Sequence, residues 1–227
     1  NYIKNNQSSI IYSPYIRNKS VPSNGSIETS IIILDQKNTL DKISKNHLAS
    51  IKKAESFNLQ FSMADSVNDI NEYYSLYKQS LRRWGFSAMG FYPEIMFNEL
   101  FKSKYYGSDI RLWKILLNKK MIAGCWTLKK GNKINYWHAC YDDRYKKKNP
   151  AHYLVYQLMI YYKKFGVRYI DLGPSAGFAN LKFFKMRFNS KNKTILTYKN
   201  FGSMIRQYNK YLHYAEKVFK KNRYYLC

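Results

Sequence analysis

The stretch GVRYIDLGPSAGFANLKFFKMRFNSK, residues 166–191, decides the predicted fold. A glycine ends the preceding helix, and residues 169–171 then predict a short buried strand that finishes on Asp171. Small residues follow this strand, and residues from about 178 to 188 predict a short basic and aromatic helix. A loop placed by rigid elements on both sides often carries function. We therefore expect a functional site at the end of this strand.

Upstream of this stretch, the apolar residues recur mainly with a helical period. Residues 29–34 are β-branched and predict a strand. Asn38 or Thr39 is expected to cap a helix that runs to about Ser56, since apolar side chains follow at helical spacing. The further predicted elements of this half are a strand at residues 59–63, a helix from Asp65 or Ser66 to Trp84, and a helix from Pro93 to about residue 103.

The period then changes to that of strands. Residues 110–117, 121–128 and 133–140 predict three strands, and the short linkers NKK and KKGN predict tight turns between them. The spacing indicates an antiparallel meander. The remaining predicted elements are a helix from about Pro150 to Phe165, a strand at residues 194–198, and a basic amphipathic helix at residues 203–222.

This order of elements predicts an α/β domain over residues 29–200. Residues 1–28 are rich in Asn, Ser and Pro, and we expect an irregular arm or the remnant of an upstream unit. Residues 201–227 are assigned to the C-terminal basic helix. The chain begins with Asn1 rather than Met, so we expect that an N-terminal part is missing.

The charge balance limits the class of partner. The 227 residues include 39 Lys and Arg against 14 Asp and Glu, a formal net charge of +25. A field of this sign attracts polyanions, namely nucleic acid, anionic lipid head groups or a phosphate-bearing substrate. Composition leaves all three open.

Targeting and metal-binding patterns are missing from the sequence. No apolar run approaches the roughly 18 residues of a membrane-spanning helix, and the start NYIKNNQSS lacks the apolar centre of a signal peptide. The sequence therefore predicts a cytoplasmic protein, either free or at the inner membrane surface. The cysteines and histidines are scattered without ligand spacing, so no metal site is predicted.

Three motifs carry a resemblance to a known family. They are LDQKNTLDKISKNHLASIKKAESFNLQF at residues 34–61, YSLYKQSLRRWGF at residues 74–86, and DLG followed by GFANLKFFK within residues 171–185. With the order of elements, they resemble the Fem-like branch of the GNAT acyltransferase superfamily. The resemblance implies a GNAT-type mixed, mostly antiparallel, splayed sheet flanked by helices, here followed by a C-terminal amphipathic helix.

Acyl transfer to an amine needs donors for a tetrahedral oxyanion and an acceptor for the amine proton. The resemblance implies Lys185 as the cation for the oxyanion or acceptor anion, and Tyr136 as an active-site tyrosine. Alternation along a strand puts Tyr136 and His138 on one side, where His138 is expected to relay a proton. Asp171 is expected either to orient the amine or to cap the following loop. For each of these residues the alternative is a purely structural role.

The bend RRWGFSAMGFYP, residues 82–93, contains the residues that the resemblance implies for the acceptor. Arg82 and Arg83 suit bidentate contacts to phosphate or carboxylate, and Tyr92 closes the bend. The alternative is that the arginines complement the dipole of the helix end.

The segment RYKKKNPAHY, residues 144–153, precedes and opens a predicted helix. It lacks the glycines that GNAT enzymes usually place around the coenzyme A pyrophosphate, although Lys147 and Lys148 beside a helix N-terminus still favour an anion. The alternative is a solvated loop. The resemblance implies no tightly bound cofactor and an acyl donor that is either aminoacyl-tRNA or acyl-coenzyme A.

The sequence therefore predicts an N-acyltransferase that moves an aminoacyl or acyl group to an amine of a cell-envelope precursor or surface glycan. The alternatives are a coenzyme A dependent N-acetyltransferase acting on an amino sugar, and a non-catalytic basic domain that binds RNA or a protein partner. The expected partners are an amine-bearing acceptor, either lipid-linked or nucleotide-linked, and tRNA. Peripheral membrane contact is expected through the helix at residues 203–222.

Overall fold

The structure is a computed structural model that describes residues 9–13, 25–34, 39–84 and 92–200. The chain divides into two units. The larger unit, Thr29–Lys193, holds all the candidate site residues, and the smaller unit combines Asn1–Glu28 with Thr194–Cys227.

The described residues form eight strands. They are β1 (Ser9–Ser13), β2 (Gly25–Ile33), β3 (Gln60–Met63), β4 (Ile110–Leu117), β5 (Lys120–Lys130), β6 (Lys133–Tyr141), β7 (Tyr169–Pro174) and β8 (Lys191–Asn200). In the larger unit the sheet order is β2-β7-β6-β5-β4-β3. Strands β6 and β7 are parallel, whereas the other neighbouring pairs described in this unit are antiparallel. The predicted mixed, mostly antiparallel sheet is confirmed.

Helices cover both faces of this sheet. They are α1 (Lys45–Glu55), α2 (Val67–Trp84), α3 (Glu94–Lys102), α4 (Pro150–Lys164) and α5 (Ala179–Met186), with a 3-10 helix at Asp143–Lys148. Helices α1 and α4 enclose one hydrophobic cluster, and α2 and α3 enclose a second on the opposite face. Strand β5 is consequently buried on both faces, which explains its unbroken run of buried residues from Met121 to Thr127.

Strands β6 and β7 pair over a short length and then separate. Their parallel register runs from Lys133 with Tyr169 to Asn135 with Asp171. Strand β6 continues to Tyr141 and β7 to Pro174, past the last paired residues. The sheet therefore opens between these two strands, as the prediction of a splayed sheet required.

Helix α1 begins later than the sequence pattern indicated. The prediction placed its cap at Asn38 or Thr39, but the hydroxyl of Ser44 caps the helix by accepting a hydrogen bond from the His47 N–H at 3.3 Å. The hydroxyl of Thr39 instead donates to the Ile33 carbonyl at 2.9 Å. Because that bond ties Thr39 to the preceding strand, the helix starts only at Lys45.

The smaller unit contains a strand pair. Strand β1 pairs antiparallel with β8, from Ser9 opposite Asn200 to Ser13 opposite Leu196. Within residues 1–28, for which an irregular arm or the remnant of an upstream unit was predicted, the structure has strand β1 at Ser9–Ser13, and β2 begins at Gly25 rather than residue 29. The helix predicted at residues 203–222 lies outside the described residues.

No sequence pattern predicted the 3-10 helix at Asp143–Lys148, where the Asp142 side chain caps the helix by accepting a hydrogen bond from the Arg144 N–H.

Within the described ranges, every helix is too short or too polar to cross a membrane.

Candidate active site

Lys185 is the buried cation of the site. Its side chain lies inside the larger unit with a residue exposure of 5%, and Nζ donates hydrogen bonds to the carbonyls of Gly173 and Pro174 at 2.9 and 2.8 Å. Burial lowers the pKa of Lys185 to about 8, and the nearby Asp171 opposes that shift. An ammonium group has three N–H donors, so one remains for a ligand at the carboxyl end of β7.

Asp171 holds the turn in which those carbonyls lie. Its Oδ1 accepts from the Thr29 hydroxyl and from the Gly173 N–H, the latter at 2.9 Å. Its Oδ2 forms an ion pair with Lys133 Nζ at 2.7 Å. Of the two roles expected for Asp171, capping the loop is the one that these contacts support, since both carboxylate oxygens already have partners.

Helix α5 is fixed to the two helices on its face of the sheet. His47 Nε2 donates to the Phe184 carbonyl at 3.0 Å, and the Ser44 N–H donates to the Arg187 carbonyl at 2.9 Å. The rings of Phe184 and Phe188 pack against His47 and His152. This packing turns the next side chain, Lys185, inwards.

Tyr136 and His138 lie on opposite faces of the sheet, so the prediction that they share a side was wrong. Thr127 pairs with Tyr136, and its neighbour Trp126 pairs with His138, which leaves Trp137 as an extra residue in β6. Such a bulge reverses the alternation of side chains. Tyr136 consequently packs with the cluster under α1 and α4.

The phenol end of Tyr136 is buried beside a thiol. Burial raises the pKa of Tyr136 well above its usual value, and the Cys125 and Cys140 thiols and a hydrogen bond to Cys125 raise it further. Tyr136 directly follows Asn135, the last residue of β6 that pairs with β7. It therefore lies where the sheet opens, on the same face as α5 and Lys185.

His138 lies under α2 and α3. The Tyr73 hydroxyl donates to the His138 carbonyl at 2.9 Å, so its contact with His138 Nδ1 requires that Nδ1 carries the proton. The rings of Tyr77, Tyr92 and Phe97 surround the imidazole. Burial lowers the pKa of His138 to about 4. The imidazole is consequently neutral at pH 7 and a weak proton acceptor.

The predicted acceptor-binding residues are distributed around the bulged end of β6. Tyr92 packs against Trp137 and His138, and its N–H donates to the Tyr77 hydroxyl at 3.0 Å. Arg83 forms an ion pair with Asp143 at 3.0 Å and its guanidinium lies 4.6 Å from the centre of the Tyr141 ring. Arg82 is exposed.

The lysines before α4 have different surroundings. Lys147 is exposed, whereas Lys148 Nζ lies 3.8 Å from the centre of the Phe57 ring. Asn149, the residue before α4, has φ of 53° and makes no side-chain cap hydrogen bond. The start of α4 therefore has no side-chain cap, and Lys147, two residues before Asn149, is exposed, a combination that favours an anion.

Sequence reasoning missed several residues of the site. Thr29 and Lys133 bind the Asp171 carboxylate, and Tyr73 fixes the His138 tautomer, all across long separations in the chain that no local pattern reveals. Ser175 could have been predicted as a site residue, since it lies in the loop of small residues that follows β7. The buried Ser175 hydroxyl has no hydrogen-bond partner among the described residues. Ser175 directly follows Pro174, whose carbonyl accepts a hydrogen bond from Lys185.

Comparison with known families agrees with this geometry. Residues 42–185, more than half of the chain, match the family described as acetyltransferase (GNAT) domain. The chain belongs to this GNAT family. Acyl-coenzyme A is the donor that GNAT enzymes use, without a tightly bound cofactor.

Several solved structures share the fold. FemX is 12% identical with a TM-score of 0.63, over 74% of this chain and 60% of that one. The C-terminal domain of a putative lysylphosphatidylglycerol synthetase from Agrobacterium fabrum is 14% identical with a TM-score of 0.58, over 76% of this chain and 60% of that one. L-PGS from Bacillus licheniformis is 16% identical with a TM-score of 0.58, over 78% of this chain and 60% of that one.

At these identities the likeness concerns the fold alone. The chain spans about 60% of the length of each of these three structures. The sequence matches none of the curated proteins.

Proposed function

We propose that this GNAT acyltransferase moves an aminoacyl or acyl group to an amine of a cell-envelope precursor or surface glycan. The observation that carries the proposal is the buried Lys185 ammonium, held by two backbone carbonyls beside the opening between β6 and β7. A charged lysine is costly to bury. A buried ammonium group stabilises negative charge that develops beside it during a reaction, which accounts for this cost of burial.

The proposed chemistry is direct transfer. The amine nitrogen attacks the carbonyl carbon of the donor ester or thioester, and the carbonyl oxygen becomes an oxyanion. The remaining N–H of Lys185 stabilises that oxyanion. The bond to the donor oxygen or sulfur then breaks, an amide bond remains, and the proton lost by the amine ends on the leaving group.

The other site residues support this centre in different ways. Tyr136 lies where the strands separate and is proposed to contact the transferred group with its ring, since its hydroxyl is buried beside Cys125. Asp171 is proposed as a positioning residue, because its bond to the Gly173 N–H orients a carbonyl that holds Lys185. His138 is proposed to position the bulged part of β6.

Two donors remain to be distinguished. The net charge of +25 favours aminoacyl-tRNA, because polyanion binding grows with basic charge. The uncapped start of α4 beside Lys147 favours the alternative, a coenzyme A thioester used to acetylate an amino sugar. The names of the lysylphosphatidylglycerol synthetases support an envelope component as the acceptor.

Replacing the buried ammonium tests the proposal. Lys185→Met should lower kcat/KM by at least about 100-fold, the usual effect of removing one oxyanion donor. Turnover is measured on a panel of amines with acetyl-coenzyme A and with aminoacyl-tRNA as donors. Lys53→Met, the same change at an exposed lysine of α1, is the matched control and should keep the rate within about threefold of wild type.

Each outcome has a definite meaning. Full turnover by Lys185→Met would contradict the assignment. A rise in melting temperature with acetyl-coenzyme A identifies the thioester as donor, whereas tRNA binding that weakens steeply with salt identifies aminoacyl-tRNA. Ligand binding without turnover by the wild-type protein would support a non-catalytic domain that binds RNA or a protein partner.

A further inference from the structure

The outer surface of α5 is unusually apolar for a solvent-facing helix. Nine large hydrophobic residues are exposed among the described residues, and four of them lie within residues 178–186. They are Phe178, Leu181, Phe183 and Met186, with exposures of 49%, 38%, 57% and 44%. Scattered exposed apolar residues are ordinary, but a cluster marks an interaction site.

Two of these side chains, Phe183 and Met186, lie on the outer face of α5, whereas Leu181 lies on the face of Lys185 and Phe188. Ala179, Phe183 and Met186 follow the i, i+4, i+7 pattern of one helix face. The opposite face is occupied by Lys185 and, just beyond the helix, Phe188, both of which are buried. Helix α5 thus carries the catalytic candidate inwards and an apolar ridge outwards.

Positive charge flanks the ridge. Lys182 and Arg187 lie beside it, in the helix and at its end, and residues 172–193 of the larger unit contain four Lys and Arg besides the buried Lys185 but no Asp or Glu. A partner that covers this ridge must therefore combine negative charge with an apolar interior. An anionic lipid surface has both, because lipid head groups meet the lysines while the acyl region accepts Phe and Met side chains.

Nucleic acid fits the charge but not the ridge. Its backbone offers phosphates to Lys and Arg and its bases stack on flat aromatic rings, but the ridge presents one ring, that of Phe183, beside the side chains of Met186 and Ala179. A second copy of the chain fits the ridge but not the charge, since two basic surfaces repel each other.

We propose that the outer face of α5, formed by Ala179, Phe183 and Met186 with Lys182 and Arg187 beside it, docks on an anionic lipid membrane. The helix is about 10 Å thick, so docking would hold Lys185 within about that distance of the membrane surface. The acceptor is then a lipid-linked amine, a step that rests on the proposed function. The docking itself does not depend on the reaction.

Sedimentation with vesicles tests the docking. The wild-type chain should bind vesicles of phosphatidylglycerol and phosphatidylcholine, bind pure phosphatidylcholine much less, and lose affinity as salt rises. The double variant Phe183→Ser with Met186→Ser should bind the anionic vesicles at least about tenfold more weakly, because two inserted apolar side chains are lost. Both side chains are exposed, so the fold should survive, which circular dichroism verifies.

Matched controls use equally exposed apolar residues elsewhere. Ile95 on α3 and Phe165 after α4 are 67% and 62% exposed, and the double variant Ile95→Ser with Phe165→Ser should bind vesicles like the wild type. Absence of vesicle binding, or equal binding by both double variants, would overturn the proposal. So would a wild-type dimer in sedimentation velocity that Phe183→Ser with Met186→Ser dissociates, since a second copy would then cover the ridge.

Turnover separates this proposal from the proposed function. On a small water-soluble amine, Phe183→Ser with Met186→Ser should retain the wild-type rate, whereas on a lipid-linked amine in vesicles its rate should fall with its binding. Lys185→Met should bind vesicles normally. Vesicle binding without any turnover would therefore support the docking proposal and contradict only the enzymatic assignment.

Discussion

At the scale of single residues, the site is held together by one chain of contacts that starts at Asp171. Thr29 and Lys133 bind its carboxylate, the carboxylate binds the Gly173 N–H, and the Gly173 carbonyl binds Lys185. Gly173 has φ of 74°, a conformation that glycine adopts without strain. The position of the Lys185 ammonium is thus determined by groups on β2, β6 and β7.

Asp171→Asn tests the strength of this chain. The amide keeps the shape of the side chain but leaves the Lys133 ammonium, 14% exposed, without its 2.7 Å ion-pair partner. Breaking a buried pair from one side costs about 3 kcal/mol of unfolding free energy. Urea denaturation measures the loss, and kcat/KM should fall with it because Lys185 loses its fixed position.

The control for this change is an exposed ion pair. Glu99 and Lys102 lie 3.3 Å apart on α3 with side-chain exposures of 63% and 69%. Glu99→Gln should cost less than about 1 kcal/mol, as is usual at the surface. If Asp171→Asn costs no more than Glu99→Gln, the carboxylate does not hold the site together.

At the scale of elements, the contact between α2 and the centre of the sheet depends on a glycine in β5. A Cβ atom added at Gly124 would lie 2.7 Å from Cδ2 of Tyr73 and 3.1 Å from the Trp113 carbonyl oxygen. Tyr73 in turn holds His138 through its hydroxyl. The missing side chain at Gly124 therefore lets α2 approach closely enough to fix the bulge in β6.

Gly124→Ala should destabilise the fold by about 1–3 kcal/mol, because the added methyl group overpacks a filled core. Tyr73→Leu removes the ring that the methyl group meets, so the double variant should lose less than the sum of the two single losses. Thermal or urea unfolding of the wild type, the two single variants and the double variant gives the coupling free energy between the two positions. Strictly additive losses would mean that the methyl group displaces the backbone near Trp113 instead.

The sequence pattern predicted which elements exist better than how they face one another. The strand at residues 110–117 and the helix from Pro150 follow from apolar period and turn residues, and both are present as predicted. The bulge at Trp137 was not predictable, because it depends on pairing with β5 rather than on any local preference.

The candidate site shows the same difference between local and long-range information. The resemblance implied Lys185, whose role stays a prediction, and the structure shows that the side chain is buried because α5 packs on His47 and His152. The same strand reasoning that paired Tyr136 with His138 failed, since alternation is lost at the bulge.

At the scale of the whole molecule, the larger unit contains three histidines whose charged forms are disfavoured. Burial lowers the pKa of His47, and it lowers those of His138 and His152 to about 4, from an ordinary value of 6.5. The unfolded chain therefore binds more protons than the folded one between about pH 6.5 and pH 4. Stability must fall as the pH falls through this range.

His152→Phe tests this pH dependence at a residue whose ring also packs against α5, the helix that carries Lys185. Phenylalanine keeps the ring contacts with Phe184 and His47 but cannot bind a proton. The variant should match the wild type in unfolding free energy at pH 7 to within about 1 kcal/mol and lose less of it on acidification to pH 4.5. Tyr156→Phe, a change of a residue on the same helix that does not titrate in this range, should leave the slope unchanged. Urea denaturation at a series of pH values measures both, and an equal slope in wild type and His152→Phe would mean that the His152 imidazole becomes protonated in the folded protein at no cost.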